Sequence, residues 1–211
     1  EAMSQAPLLL NQGMTAWLAA WNVAKTPFDR VRLLCQFKLK YLAPVIALLR
    51  GLTDPIIGLS MGQTAEIIAP RFGISREKMD EFSLQSHQRL AAAQDAGIFK
   101  DELNPVYDRK NHYYSYDSGL RRDTRLEKLA SLKPFFDKSF GLVTAGNSSQ
   151  VTDGAAFLVL ASEKAVQQYQ LPVLARIVDV VWAGVEPSEM GLGPVHAVSI
   201  LLKKQQLAFN R

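Results

Sequence analysis

The sequence predicts an α/β protein, and three observations carry that prediction. An apolar run, Ala155-Ala156-Phe157-Leu158-Val159-Leu160, has the length and continuity of a buried strand, and Val173 to Val181 reads as a second strand. A helix start, Ser162-Glu163-Lys164-Ala165, falls between them and helical spacing resumes from Val195 to Leu207, so strands and helices alternate. Hydrophobic residues make up 48% of 211, enough to bury a sizeable core in one large domain or two smaller ones.

Taken in order, residues 11 to 50 form a basic block, with Lys25, Arg30, Arg32, Lys38, Lys40 and Arg50 against one acid, Asp29. From Phe28 to Tyr41 the positions Phe28, Val31, Leu34, Cys35 and Leu39, followed by Leu42, approximate helical spacing. Pro27 suits a first helical turn and Pro44 a break. Such a segment is either a docking helix packed on its own domain or a basic amphipathic helix on an anionic membrane or a partner. Gly51-Leu52-Thr53-Asp54-Pro55 is a turn, and a helix begins after Met61 and stops at Pro70 and Gly73. Ser75 caps a second helix from Arg76 to about Ala96, closed by Gly97, with Met79, Phe82, Leu90 and Ala93 on its buried face. His87 on that helix reads as a packing or capping histidine.

Residues 101 to 123 are polar, and Asn111 to Asp117 suggest a loop or an exposed hairpin whose pairing the sequence leaves open. Thr124-Arg125-Leu126-Glu127 has the form of a capping box, followed by a short helix with Leu126, Leu129 and Leu132 inward. Arg121, Arg122 and Arg125 gather charge at its entrance, either as a solvated face or for phosphate recognition. Leu142-Val143 starts as a strand, and Gly146, Asn147 and two serines then break it before Asp153-Gly154 turns the chain. Small residues let a ligand approach the backbone and hydroxyls orient it; the same residues also make ordinary turns. Gly184 to Pro194 make a loop around Met190.

The formal charge of +4 suits anionic small molecules or a membrane surface as well as nucleic acid. One cysteine, Cys35, excludes an internal disulfide framework, and three scattered histidines give no metal-ligand spacing, which fits a reducing compartment. Cys35 has no histidine near it in sequence and reads as a buried structural thiol, not a nucleophile. No apolar run reaches the roughly 20 residues of a membrane span, since Arg50 and Asp54 interrupt the longest candidate. The opening Glu1-Ala2-Met3-Ser4 is no secretory leader and reads as the interior of a longer chain.

Several motifs, in order, carry a family likeness: Glu1-Ala2-Met3-Ser4 with Ala6-Pro7; Met61-Gly62-Gln63-Thr64-Ala65-Glu66; Ile74-Ser75-Arg76-Glu77 with Asp80; Ser86-His87-Gln88-Arg89; Leu132-Lys133-Pro134; Val143 to Ser149 with Asp153-Gly154-Ala155-Ala156; and Met190-Gly191-Leu192-Gly193-Pro194. Together they resemble the middle portion of a thiolase, an acyl-CoA acyltransferase. The stretch Gln36 to Pro44 resembles the insertion of the β-subunits of fatty-acid oxidation trifunctional enzymes.

The resemblance implies an incomplete thiolase-like α/β fold with an α+β loop domain. Residues 1–10 and 152–170 would belong to the N-terminal thiolase half, 11–151 to the loop domain that binds coenzyme A, with a basic insertion at about 11–50, and 171–211 to the start of the C-terminal half. By position Ser149 and Ala145 resemble residues that meet the pantetheine arm, Arg121 one near the adenine nucleotide, and Phe136, Met61 and Met190 the apolar wall. The implied parent cleaves 3-oxoacyl-CoA with CoA or condenses acyl-CoA units, with CoA and acyl-CoA as substrates and no permanently bound cofactor or metal. It would be a homo-oligomer, with a fatty-acid oxidation α-subunit and a peripheral membrane contact as further partners and no nucleic acid. Its location would be cytoplasmic, or mitochondrial in a eukaryote. The family's Cys-x-Ser nucleophile motif, Glu-Ala-Phe and Gly-His-Pro motifs and second cysteine do not occur in these residues, so no catalytic residue is assigned, and the chain alone is expected to be an inactive fragment.

Overall fold

The computed structural model describes residues 3–209, so Glu1 and Ala2 of the first family motif lie outside the described residues. The chain divides into two compact units, Glu1–Ser60 with Thr152–Gly154, and Met61–Val151 with Ala155–Arg211.

In the first unit, β1 (Leu8–Leu9) pairs antiparallel with β2 (Val45–Ile46), Leu8 opposite Ile46. Between them run α1 (Gln12–Val23), α2 (Pro27–Cys35) and a 3-10 turn at Leu39–Leu42, and α3 (Ala47–Gly51) follows. Asn11 organises this arrangement: its Oδ1 accepts the Met14 N–H at 3.0 Å, capping α1, and its Nδ2 donates to the carbonyls of Lys40, Tyr41 and Ala43. Aromatic rings fill the interior. Trp17 stacks on Trp21 at 5.2 Å, Phe37 meets Trp17 edge-on at 5.1 Å and Tyr41 meets Phe37 at 5.7 Å, while Trp17 Nε1 donates to Leu33 O.

That cluster overrides the expected helix from Phe28 to Tyr41. Pro27 does open α2, with Thr26 Oγ1 accepting the Asp29 N–H, but the helix ends at Cys35 and the chain turns so that Phe37 reaches Trp17 and Tyr41 reaches Phe37. Large rings bury more area than the aliphatic stripe could. Phe28, Val31, Leu34, Leu39 and Leu42 therefore face outward. Cys35, expected to be buried, is exposed for the same reason. The turn at residues 51–55 forms as read, with Asp54 Oδ1 accepting the N–H groups of Ile56 and Ile57 and Gly58 at φ +69°.

The second unit opens with α4 (Met61–Arg71), which runs through Pro70, expected to stop it, and is closed by Gly73 at φ +60°, as the sequence predicts. In α5 (Arg76–Asp95) Ser75 Oγ accepts the Lys78 N–H, and Gly97 at φ +68° closes the helix. Met79, Leu90 and Ala93 are partly covered, but Phe82 is 71% exposed, because a polar stripe occupies that helix's inner face. Residues 106–114 form a hairpin, with β3 (Val106–Tyr107) antiparallel to β4 (Tyr113–Tyr114) and Val106 opposite Tyr114. The helix α6 (Leu126–Ala130) follows and packs on α5. Its capping box does not form: Arg125 is the N-cap without a side-chain bond, and Thr124 Oγ1 donates instead to Arg121 O at 2.7 Å. Leu129 is buried while Leu126 and Leu132 stay partly exposed.

No strand forms at Leu142-Val143, because the Glu66 carboxylate accepts both backbone N–H groups that a neighbouring strand would have taken. The strands expected at Ala155–Leu160 and Val173–Val181 are also absent. Both segments lack a ladder partner among the described residues, and Phe157 and Leu174 are 95% and 99% exposed. Between them α7 (Glu163–Tyr169) has its predicted cap, Ser162 Oγ accepting Ala165 N–H. Met190 lies in a 3-10 segment, Pro187–Leu192, which packs on α4 and leads into α8 (Gly193–Lys204). The buried residues, Thr64, Ala69, Asp80, Leu129, Val143 and Thr144, all lie in this second unit, so its core sits under the central loop. No helix among the described residues is long and apolar enough to cross a membrane, and none of their His, Cys, Asp and Glu clusters could hold a metal ion.

Candidate functional site

The site is built around the loop from Gly141 to Gln150. Glu66, on α4, fixes its start: Oε2 accepts Leu142 N–H at 2.8 Å and Oε1 accepts Val143 N–H at 2.9 Å. Gly141 is required here, since a Cβ would collide with Asp137 O and crowd the Glu66 carboxylate. Phe135 N–H donates to Val143 O, which ties the loop to the segment carrying Phe136. The bend itself is held by Asn147, whose Oδ1 accepts Thr144 N–H at 2.7 Å and whose Nδ2 donates to Leu142 O at 3.0 Å. Ser148 Oγ donates to Thr144 O, and Thr144 is 1% exposed. Thr144 and Asn147 are turned inward, and Ala145, Ser148 and Ser149 are exposed.

Met61 and Met190 come together. They line an apolar cavity of about 380 Å³ with Thr64, Ile68, Ile74 and Met79, between α4, the start of α5 and the Met190 segment. Phe136 packs its ring against Gly62, one residue from Met61, so closely that a side chain at Gly62 would overlap it. Arg121 is exposed, and its backbone N–H points to His87 Nδ1 on α5 at 3.4 Å, which gives His87 a capping role. Gln150 Nε2 donates to Gly119 O at 2.5 Å, so the arginine segment and the end of the loop are tied to each other. Arg122 is committed elsewhere, as a fork on Asp95 at 2.8 and 3.0 Å. That hydrogen bond holds the Asp95 carboxyl below the ordinary carboxylate range. Lys128 does the same to Asp123 at the base of α6.

The arrangement therefore offers an apolar wall, an exposed small-residue bend and a basic entrance; Cys35 lies in the first unit. Sequence reasoning missed the residues that hold the loop. Glu66, Asp80 and Asn147 were visible within motifs, but without a role. The i, i+4 spacing of Arg76 and Asp80, which are 2.8 Å apart, was the available signal.

Comparison with known proteins gives the geometry a family. The family model described as "Thiolase, N-terminal domain" matches residues 1–164. Human mitochondrial 3-ketoacyl-CoA thiolase is 46% identical over 163 residues, covering 76% of this chain and 41% of that protein. Rat peroxisomal 3-ketoacyl-CoA thiolase B is 44% identical over 160 residues, covering 72% and 38%. The chain thus spans about 41% of the length of the human relative it matches. Among solved structures, human mitochondrial 3-ketoacyl-CoA thiolase in complex with CoA superposes with a TM-score of 0.79 at 40% identity, covering 98% of this chain and 47% of the other. The dimeric peroxisomal thiolase of Saccharomyces cerevisiae gives 0.67 at 40% identity over 71% and 38%. With most of its length inside the family model and its fold shared with these enzymes, this chain belongs to the thiolase family.

Proposed function

We propose that this chain is the coenzyme A-binding part of a thiolase, which cleaves 3-oxoacyl-CoA with free CoA or condenses acyl-CoA units in reverse. The observation that carries the reading is the joint placement of the loop and the Met61–Met190 cavity on α4, one through Glu66 and the other through Met61. CoA has an apolar arm and a phosphate-rich nucleotide, and such a ligand needs an apolar wall beside oriented polar groups. Met61, Met190 and Phe136 supply the wall, Ala145 and Ser149 the close approach to the pantetheine arm, and Arg121 a cation for the nucleotide. On this reading residues 11–151 are the loop domain, 1–10 with 152–170 part of the N-terminal half, and 171–211 the opening of the C-terminal half.

The test is calorimetric CoA binding. Ser149→Leu places a branched side chain in the arm's path and should abolish detectable binding. Arg121→Ala should weaken it by about 1 kcal/mol, since an exposed charge is screened. Unchanged affinity in both variants would remove the loop and the arginine segment from the site.

A second reading concerns the first unit, where Phe28, Val31, Leu34, Leu39 and Leu42 are exposed among Arg30, Arg32, Lys38 and Lys40. This surface suits an anionic membrane or a partner subunit, in keeping with the likeness of residues 36–44 to trifunctional β-subunits. The parent would then work as a homo-oligomer beside a fatty-acid oxidation α-subunit, in the cytoplasm of a bacterium or the mitochondrion of a eukaryote. Co-sedimentation with anionic but not neutral liposomes, weakened by salt and by replacing Arg32, Lys38 and Lys40 with glutamine, supports it. Indifference to anionic liposomes together with no partner protection of residues 28–49 from proteolysis removes it.

A further inference from the structure

The inner face of α5 carries Arg76, Asp80, Ser83 and His87 at i, i+4, i+7 and i+11, a polar stripe where a packed helix ordinarily has an apolar one. Each of these side chains is spent on a segment outside the helix. Arg76 Nη2 donates to Leu129 O at 2.7 Å and Leu132 O at 3.0 Å, and its Nε donates to Asp80 Oδ2 at 2.8 Å. Asp80 Oδ1 accepts Asn147 Nδ2 at 3.0 Å, and Ser83 Oγ donates to Gly146 O at 2.5 Å. His87 Nδ1 faces the Arg121 N–H. The loop and the arginine segment are thereby referred to one rigid 20-residue helix.

Asp80 is the member whose presence most needs a reason, for it is a carboxylate only 3% exposed. A buried ion pair gives little net stability over apolar residues of the same volume; what it gives is direction. Here the direction is toward Asn147, whose amide already sets the bend through Thr144 N–H and Leu142 O. We propose that Arg76 and Asp80 are positioning residues for coenzyme A: by fixing the Asn147 amide they hold the Thr144–Ser149 bend in the place where Ala145 and Ser149 meet the ligand. This rests on the CoA reading of the loop and adds the residues that set its affinity.

In Asp80→Asn one carboxylate oxygen becomes an NH2, so a donor faces either Arg76 Nε or Asn147 Nδ2. Two readouts are taken on the protein: hydrogen exchange of the amides of residues 144–149, and the CoA dissociation constant by calorimetry well below the melting temperature. Asp80→Asn should speed loop exchange and raise the dissociation constant about tenfold each, the cost of one buried hydrogen bond to a charged group. A merely structural Asp80 would lower the melting temperature while leaving the CoA affinity of the folded protein unchanged, and that result overturns the proposal. So does loop exchange that stays at the wild-type rate. If the wild type binds no CoA, the functional reading falls and with it the ligand half of the proposal, whereas the exchange arm still decides whether α5 sets the loop. Should Asp80→Asn fail to fold, Arg76→Lys, which keeps a charge beside Asp80 but cannot fork onto Leu129 O and Leu132 O, should change both readouts by about threefold, and no change in either refutes the idea equally well.

Discussion

Glu66→Gln isolates the clamp at the start of the loop. Glutamine keeps the length and shape of the side chain but turns one acceptor into a donor, so either Leu142 N–H, now 2.8 Å from Oε2, or Val143 N–H, now 2.9 Å from Oε1, loses its partner. The other amide keeps an acceptor, but a neutral one. Val143 is 4% exposed, so water does not readily replace what is lost. A hydrogen bond to a charged group contributes about 1.5–3 kcal/mol, which makes one lost and one weakened bond worth about 2 kcal/mol of local opening. At 1.36 kcal/mol per tenfold that is roughly a 30-fold faster exchange of the two amides. The measurement is residue-resolved hydrogen exchange, with Ala165 N–H as the internal reference, because it is bonded to Ser162 Oγ in α7 and has no contact with Glu66. Glu66→Ala, which removes both acceptors, should act more strongly. Acceleration below about threefold at residues 142 and 143, or an equal acceleration at Ala165, would show that the carboxylate is not what holds the loop.

Gly62→Ala should destabilise the second unit by about 1–3 kcal/mol in urea unfolding, despite alanine's better helix propensity, because its methyl group overlaps the Phe136 ring. Leu129→Ala should cost about 2–5 kcal/mol in the same assay, since that side chain is 5% exposed and Arg76 holds its carbonyl in place. Arg122 depresses the folded-state pKa of Asp95, so this pair's contribution to stability is complete above the unfolded carboxyl's pKa of about 3.9 and is lost as pH falls through the lower folded value. An Asp95 titration by NMR should therefore move up toward the ordinary range in Arg122→Gln, and an unmoved midpoint would show the pair to be unformed in solution. Cys35 should react with a maleimide in the native protein as fast as a small-molecule thiol within a few-fold, and Cys35→Ala should leave CoA affinity unchanged; slow labelling until denaturation would mean that the thiol is covered.

The helices of the second unit were readable because their ends carry local chemistry: Ser75 and Gly97 bound α5 through a hydroxyl cap and a positive φ that need no tertiary partner. Their faces were less readable. Phe82 was placed inward by its period, yet Arg76, Asp80, Ser83 and His87 take the inner face because loop carbonyls and amides there need partners, and an apolar-moment argument counts such residues as surface. Thr124 shows the same competition locally: its hydroxyl satisfies Arg121 O instead of closing a capping box. The hairpin's register escaped because its turn is set by Asp108, which accepts from Lys110 and His112 N–H and meets the His112 ring, and by Asn111 at φ +62°, with none of the two-residue turn signals that fix pairing. For the site, the motifs offered candidate contact residues by likeness. The clamps Glu66 and Asp80 stayed silent, since nothing local tells a helical carboxylate which distant amide it will meet.

The two missing strands separate what periodicity measures from what it is taken to mean. Ala155–Leu160 is as apolar as a central strand, yet Phe157, Leu158 and Val159 are at least nine-tenths exposed. Their sequence states a demand for cover; a strand needs in addition a neighbour about 4.8 Å away to accept its N–H groups. Among the described residues none stands there. Leu142-Val143 met the same demand by another route: Glu66 supplied the acceptors, Val143 became buried, and the backbone was released from any ladder to form a bend. The Glu66 carboxylate thus takes a strand's place over two residues, whereas the apolar run that follows the loop has no such acceptor among the described residues and is uncovered. The loop's shape is therefore set by Glu66, and its loss, more than that of any residue of the apolar runs, should disorganise the bend.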